Sequence, residues 1–215
     1  MLIACWSVKG GVGTTVVAAG FAATLAVQRP VLLVDLTGDA AVALGARVPD
    51  GPGIADWLAL GDDVPPDALA RLEVPLSRSL SLLPPGGGPS TGPRARLLPS
   101  LLSRSGRVVV VDCGQLPAQP GVGRELAAAA DRSLLVIRNC FLAARRCDTL
   151  PVPPTGLVVV HEPNRALDSA DLARIVQVPV VAELALDPAV ARAVDAGLLL
   201  SRRPRRFAAA LEAAA

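Results

Sequence analysis

Ser7-Val8-Lys9-Gly10-Gly11-Val12-Gly13-Thr14-Thr15 is the stretch on which the reading of this chain turns. It follows an apolar run, residues 2–6, and precedes an alanine-rich segment with helical spacing. Glycines let the backbone curl and point successive N–H groups inward. A helix starting just after them adds about half a positive charge at its N-terminus. Strand, glycine-rich turn and helix in that order make a cradle for an anion, phosphate above all.

The pattern continues outward from this turn. Apolar runs at 2–6, 31–34, 80–83, 108–111, 133–137, 157–160 and 180–182 predict seven strands. They are continuous rather than alternating, as expected of strands covered on both faces. Helical spacing falls between them at 15–27, 54–60, 94–103, 123–130, 142–149, 169–176, 188–196 and 204–214. Asp168 and Asp187 sit at N-cap positions and Gly197 just past a helix end. This alternation predicts an α/β fold: a doubly wound, mainly parallel seven-stranded sheet with helices on both faces. No internal repeat is visible. Residues 84–93, PPGGGPSTGP, read as an exposed flexible loop inside a single domain spanning 1–215, because both halves are needed for one sheet.

Composition narrows the function classes. Of 215 residues, 52% are hydrophobic and 19% charged, and mean hydropathy is +0.48, which excludes an intrinsically disordered chain. Net charge of +2 is too balanced for binding nucleic acid over the whole surface. Residues 10–28 carry no charge, but their glycines and threonines argue against a membrane-spanning helix, and no transmembrane segment is predicted. Cys5, Cys113, Cys140 and Cys147 contain no CxxC pair, and His161 is the sole histidine, so zinc, an iron–sulfur cluster and a disulfide framework are not expected. A cytoplasmic location follows from the same pattern.

The glycine-rich segment resembles the deviant Walker A signature, KGGVGKT, of the ParA/MinD family of P-loop ATPases. Lys9-Gly10-Gly11-Val12-Gly13 match it, and Thr15 takes the magnesium-binding hydroxyl position. Val31-Leu32-Leu33-Val34-Asp35 resembles the strand and aspartate after the family's first helix, and the run ending in Asp112 resembles the Walker B strand with its acidic tip. The order of Pro179-Val180, Asp187, Asp195-Ala196-Gly197 and Pro204 is similar to the family's C-terminal third, so the likeness spans nearly the whole chain. It implies a P-loop NTPase fold, ATP and Mg²⁺ as cofactors, and a homodimer formed on ATP binding. Thr15, Asp35 and Asp112 are then the metal residues, Lys9, Asp35 and Asp39 the candidate catalytic ones, and Lys9, Gly10, Gly11, Val12, Gly13, Thr14 and Thr15 the phosphate cradle. The loop after residues 157–160 corresponds to one that contacts the adenine base, with Asn164 and Arg165 as candidates or else as ordinary polar loop residues.

Lys9 is the only lysine among 21 basic residues. A bias that replaced lysine by arginine elsewhere has spared the signature position, where a compact ammonium fits between phosphate oxygens and a planar guanidinium would not. The resemblance implies that Lys9 reaches nucleotide in the opposite subunit.

Two departures matter. The family's second lysine is Thr14 here, and its second carboxylate after the aspartate strand is Thr37, with Asp39 as a substitute only if the loop is rearranged. Phosphoryl transfer depends on positioning and charge neutralisation, so slow or absent ATP hydrolysis is expected while binding survives. A KGGVGTT turn is similar to that of the CpaE/TadZ subgroup, which places Tad-type pili at a cell pole. That makes a protein partner in a polar or secretion apparatus the leading expectation. An active DNA-partitioning ATPase and a nucleotide-free scaffold are the alternatives. Arg202, Arg203, Arg205 and Arg206 are either a DNA contact or a solvated helix start. Asp112 and Asp35 have a bland reading as loop caps, and Trp57 reads as core rather than as a partner surface.

Overall fold

The computed structural model describes residues 1–61, 64–65, 67–89 and 91–214; Ser90 of the Pro-Gly stretch and the terminal Ala215 lie outside the described residues. Eight strands form one sheet: β1 (Leu2–Ser7), β2 (Val31–Asp35), β3 (Val74–Pro75), β4 (Leu80–Leu83), β5 (Val108–Gln115), β6 (Arg132–Arg138), β7 (Gly156–His161) and β8 (Val180–Ala185). Their order is β3-β4-β2-β5-β1-β6-β7-β8, and every pairing is parallel except β3 with β4. The doubly wound parallel sheet is therefore as expected, with one correction. The eighth strand, β3, has two residues, pairs antiparallel at the edge, and lacks the apolar run by which the others are recognised.

Helices α1 (Thr14–Leu25), α2 (Ala40–Leu44), α3 (Ile54–Leu58), α4 (Leu98–Ser103), α5 (Val122–Ala129), α6 (Phe141–Arg145), α7 (Ser169–Val176), α8 (Pro188–Asp195) and α9 (Arg205–Ala213) fill the connections. Alternate side chains of β1 enter two different cores. Ile3 and Cys5 join a cluster with α1, α2, α8 and α9, whereas Leu2, Ala4 and Trp6 join one with residues of α3 through α7. This double burial is the physical reason the strands read as unbroken apolar runs. Trp6, completely buried, donates from its indole N–H to Ser133 Oγ at 2.9 Å, which satisfies the polar edge of the ring. Trp57 is core, as expected, with the Arg94 guanidinium 4.7 Å from its ring centroid.

Helix α1 is buried along most of its length and rich in alanine with a glycine at its centre, so neighbours approach closely there. A Cβ on Gly20 would lie 2.5 Å from Cε1 of Phe207 and 2.8 Å from Cδ1 of Leu211, so the glycine is what lets α9 dock. Helix α2 was not expected. Asp35 creates it by organising the preceding turn, as described below. The predicted helix 142–149 instead breaks into α6 and a 3-10 turn, Arg146–Asp148. At the start of the 84–93 stretch, the Pro84 and Pro85 carbonyls accept from the Ile54 and Ala55 N–H groups, and Asp56 accepts from Gly53 and Gly87. No helix of the described residues is long and apolar enough to cross a membrane.

Candidate functional site

The carboxyl ends of β1, β2, β5, β6, β7 and β8 bring most of the predicted residues to one edge of the sheet, where ligands bind in such folds. Between β1 and α1 the turn adopts left-handed φ at Gly11 (73°) and Gly13 (98°). A Cβ at either would meet nothing within 4 Å, so the glycines serve backbone conformation and not space. Gly13 precedes α1 with no side-chain cap, and no acidic residue lies in the first turn. The first N–H groups of a twelve-residue helix are thus left for a ligand. Lys9 stands half-buried at the mouth of this turn, its Nζ 3.4 Å from the Gly10 carbonyl and in no ion pair among the described residues.

Beside the turn, strand register sets Asp35 of β2 directly against Asp112 of β5. Both are buried, and they differ in what they hold. Asp35 Oδ1 accepts from the Thr37 N–H (2.9 Å), the Thr37 hydroxyl (3.0 Å) and the Gly38 N–H (2.8 Å), while Oδ2 accepts from the Ala40 N–H (2.9 Å). Asp35 therefore closes the turn that starts α2. Asp112 Oδ1 accepts from the Gly114 N–H at 3.0 Å, and Oδ2 lies 2.8 Å from Thr37 Oγ1. Burial first, and then the charge of Asp35, push the Asp112 carboxyl up, while the Thr15 and Thr37 hydroxyls and the Gly114 N–H pull it down.

The Thr15 hydroxyl thus faces Asp112, with Asp35 alongside. Asp39 does not join them: it is exposed at the start of α2, and its carboxylate makes no cap hydrogen bond. Thr14 is buried at the first position of α1. Asn164 and Arg165 lie in the loop after β7, with Asn164 in left-handed φ (62°) and Arg165 paired to Glu162 at 2.8 Å. They line a cavity of about 490 Å³ together with Asn139 and His161. The arginine group near α9 splits: Arg202, Arg205 and Arg206 are exposed, while Arg203 turns inward to donate to the Leu200 carbonyl. Partial burial lowers its pKa.

Several residues of this edge escaped the sequence. Gly114 has φ 60°, and a Cβ there would come within 2.5 Å of Thr37 Cγ2, so glycine is what admits Thr37 against β5. Buried Asn139 anchors the loop after β7, accepting from the Glu162 N–H at 2.7 Å and donating to the Glu162 and Leu167 carbonyls at 3.2 Å. Arg146 donates to the Val8 carbonyl at 3.2 Å, and Gln115 reaches the same carbonyl at 3.4 Å, so both support the start of the turn. None carried a signal in composition or spacing. Each contact joins residues more than 20 positions apart. Among the described residues, no group of three or more His, Cys, Asp or Glu side chains is placed to hold a metal by itself.

No protein-family model matches the chain, and no curated protein matches its sequence. Solved structures do match its fold. The MinD cell division protein of Aquifex aeolicus superposes with a TM-score of 0.77 at 19% identity, covering 100% of this chain and 95% of that one. A ParA family ATPase from Chlorobium tepidum gives 0.74 at 19%, covering 98% and 96%. The septum site-determining protein MinD of Pyrococcus horikoshii, solved with Mg-ADP, gives 0.72 at 18%, covering 100% and 94%. At these identities the likeness is one of fold. The chain carries the P-loop NTPase fold in the form seen in the ParA and MinD ATPases.

Proposed function

We propose that this chain is a nucleotide-dependent, dimerising positioning protein of the ParA/MinD kind, binding ATP with Mg²⁺ and hydrolysing it slowly or not at all. One observation carries the reading: an uncapped α1 N-terminus behind a turn with left-handed Gly11 and Gly13 stands next to the Thr15–Asp112 pair. The first part suits phosphates. The second suits Mg²⁺, which takes one or two protein oxygens and completes its shell with phosphate and water. Thr15 and Asp112 fit that role; Asp35, with four donors on its two oxygens, orients the turn beside it. When bound, the ion would neutralise phosphate charge.

Hydrolysis is where the residues fall short. Position 14 offers a buried threonine hydroxyl instead of a cation. Thr37 turns its hydroxyl to Asp112 and Asp35, and Asp39 stays in solvent, so among the described residues of this turn no free carboxylate is placed to orient an attacking water. The solved MinD with Mg-ADP and a solved MinC:MinD complex support the nucleotide and the use of a protein partner. The finer reading follows the KGGVGTT turn: a CpaE/TadZ-like protein, with 1–215 as one P-loop domain, that localises a Tad-type pilus or another polar apparatus through its partner. Lys9, open to a second copy and unpaired among the described residues, is the residue that reaches across the dimer.

Light scattering with and without Mg-ATP tests this. The expected outcome is a doubling of mass on ATP addition that Lys9→Ala abolishes, with apo stability within about 0.5 kcal/mol of the parent because Lys9 makes one weak surface contact. A folded protein whose mass ignores ATP, and which binds none, is a nucleotide-free scaffold and overturns the proposal.

A further inference from the structure

Alongside the N-terminus of α1 lies a second cavity of about 290 Å³, lined by Val12, Gly13 and Val16 on one side and Val160, Leu184 and Leu186 on the other. Its walls are mostly apolar, and the cation on them is Arg138, the last residue of β6. Arg138 differs from its neighbours on this edge. Arg146 donates to the Val8 carbonyl, Arg124 to the Ala118 and Pro151 carbonyls, and Arg165 to Glu162. Arg138 donates to nothing among the described residues, and its Nε is completely shielded from solvent without an acceptor.

Buried donors in folded proteins are nearly always satisfied, so a guanidinium left this way needs an explanation. The two carboxylates that themselves line the cavity, Asp187 and Asp195, do not supply one. Asp187 spends its Oδ1 on the Ala189 N–H at the start of α8, and Asp195 is solvent-exposed. A cavity with mostly apolar walls, a guanidinium whose buried Nε has no acceptor, and the positive end of a capless helix is complementary to a ligand with a flat apolar body and an anionic end. Gly13 is shared between this cavity and the phosphate turn, so the two form a continuous surface.

We propose that Arg138 is a ligand of the phosphates of the bound nucleotide, supplying from within the same subunit a positive charge that the glycine turn lacks with threonine at position 14. The proposal rests on the nucleotide reading above and adds to it a residue and a role. It separates two cations: Lys9 answers to the second subunit, whereas Arg138 belongs to the monomer's own site and requires no dimer.

Competition against a fluorescent ATP analogue, in the presence of Mg²⁺, measures affinities for adenosine, ADP and ATP in the parent, Arg138→Gln, Arg138→Lys and the Thr14→Lys/Arg138→Gln double variant. A charge-assisted contact to phosphate predicts that Arg138→Gln weakens ADP and ATP by about ten- to a hundredfold and leaves adenosine unchanged. Arg138→Lys keeps part of the affinity, and Thr14→Lys restores it in the Gln background. Loss of adenosine and ADP in equal proportion makes Arg138 a structural residue and overturns the inference, as does ADP binding equal to the parent's. Should Arg138→Gln not fold, the phosphate-dependent ratio is read from Arg138→Lys, where a ratio equal to the parent's is the overturning result. A folded parent that binds no nucleotide sinks the nucleotide reading itself and this inference with it; a parent that binds with an indifferent Arg138 sinks the inference alone.

Discussion

Asp112→Asn is expected to stabilise the apo protein at neutral pH. Thr37 has one hydroxyl hydrogen, yet its oxygen lies 3.0 Å from Asp35 Oδ1 and 2.8 Å from Asp112 Oδ2. With both carboxylates ionised, the hydrogen serves one of them, and the other contact is oxygen against oxygen at the half-buried edge of the pair. A proton on Asp112 completes the chain, Asp112 donating to Thr37 and Thr37 donating to Asp35. Asparagine reproduces that arrangement permanently, with Nδ2 donating to Thr37 and Oδ1 still accepting from Gly114. The contact is half-buried, so relieving it gains about 1 kcal/mol, the low end for an unmatched polar group, and shifts Tm upward by roughly 2–4 °C for a chain of this size. The pH dependence has a definite sign. A carboxyl whose folded pKa is raised stabilises the fold fully below its unfolded pKa, near 3.8, and that contribution is lost as pH rises through the folded value. The advantage of the Asp112→Asn variant over the parent should therefore be near zero at pH 4 and grow to a plateau above the folded pKa. Thermal unfolding of both proteins from pH 4 to 8, without Mg²⁺, reads it directly. A variant less stable than the parent at pH 7, or an advantage flat across the range, refutes the one-hydrogen argument.

Thr14→Lys should raise ATP affinity or ATPase rate over the parent by tenfold or more, since a lysine there meets the phosphates; no gain in either, by calorimetry and phosphate release, means that the pocket has diverged at more than one residue. Gly20→Val puts methyl groups into the space of the Phe207 ring and should cost roughly 1–3 kcal/mol by denaturant unfolding; an unchanged midpoint would mean that α9 is not docked on α1. If Arg202, Arg205 and Arg206 form a DNA contact, retardation of nonspecific duplex must weaken steeply with salt, and no retardation at low salt removes the partitioning reading.

The parts of this molecule legible in the sequence are those whose signal is local. A strand buried on both faces writes itself as a continuous apolar run, and the succession of run, glycines and helix fixes the turn after β1 without knowledge of any distant residue. What stayed hidden depends on partners remote in sequence. Strand β3 is two residues at an edge, recognisable only through Leu82 and Ser81 opposite it. Helix α2 is five residues long and exists because Asp35 gathers the Thr37, Gly38 and Ala40 N–H groups. The sequence could count Thr37 as a missing carboxylate, but its bond to Asp112, 75 positions away, follows from the β2–β5 register and the bare Cα of Gly114. Arg138 lies one residue past the predicted strand 133–137, and nothing local to it shows that its Nε is shielded and without an acceptor among the described residues.

Threonine at 14 and threonine at 37 have opposite electrostatic consequences, and under the proposed function their joint effect would let the site lose turnover and keep binding. Measured against the signature this turn resembles, position 14 gives up a positive charge and position 37 a negative one. A triphosphate is repelled by an extra carboxylate and attracted by an extra ammonium, so the two changes oppose each other in ground-state affinity. They do not oppose each other in the transition state, where the cation would neutralise developing charge and the carboxylate would orient water; both losses raise that barrier. The hydroxyl at 37 goes further, because it occupies Asp112 and Asp35 with a hydrogen bond where a carboxylate would face two others. A third carboxylate there would crowd a negative group against two buried ones. On the proposed reading, the threonine spares the empty pocket that repulsion, and a site so built would bind, hold and release a nucleotide as a signal of assembly rather than consume it.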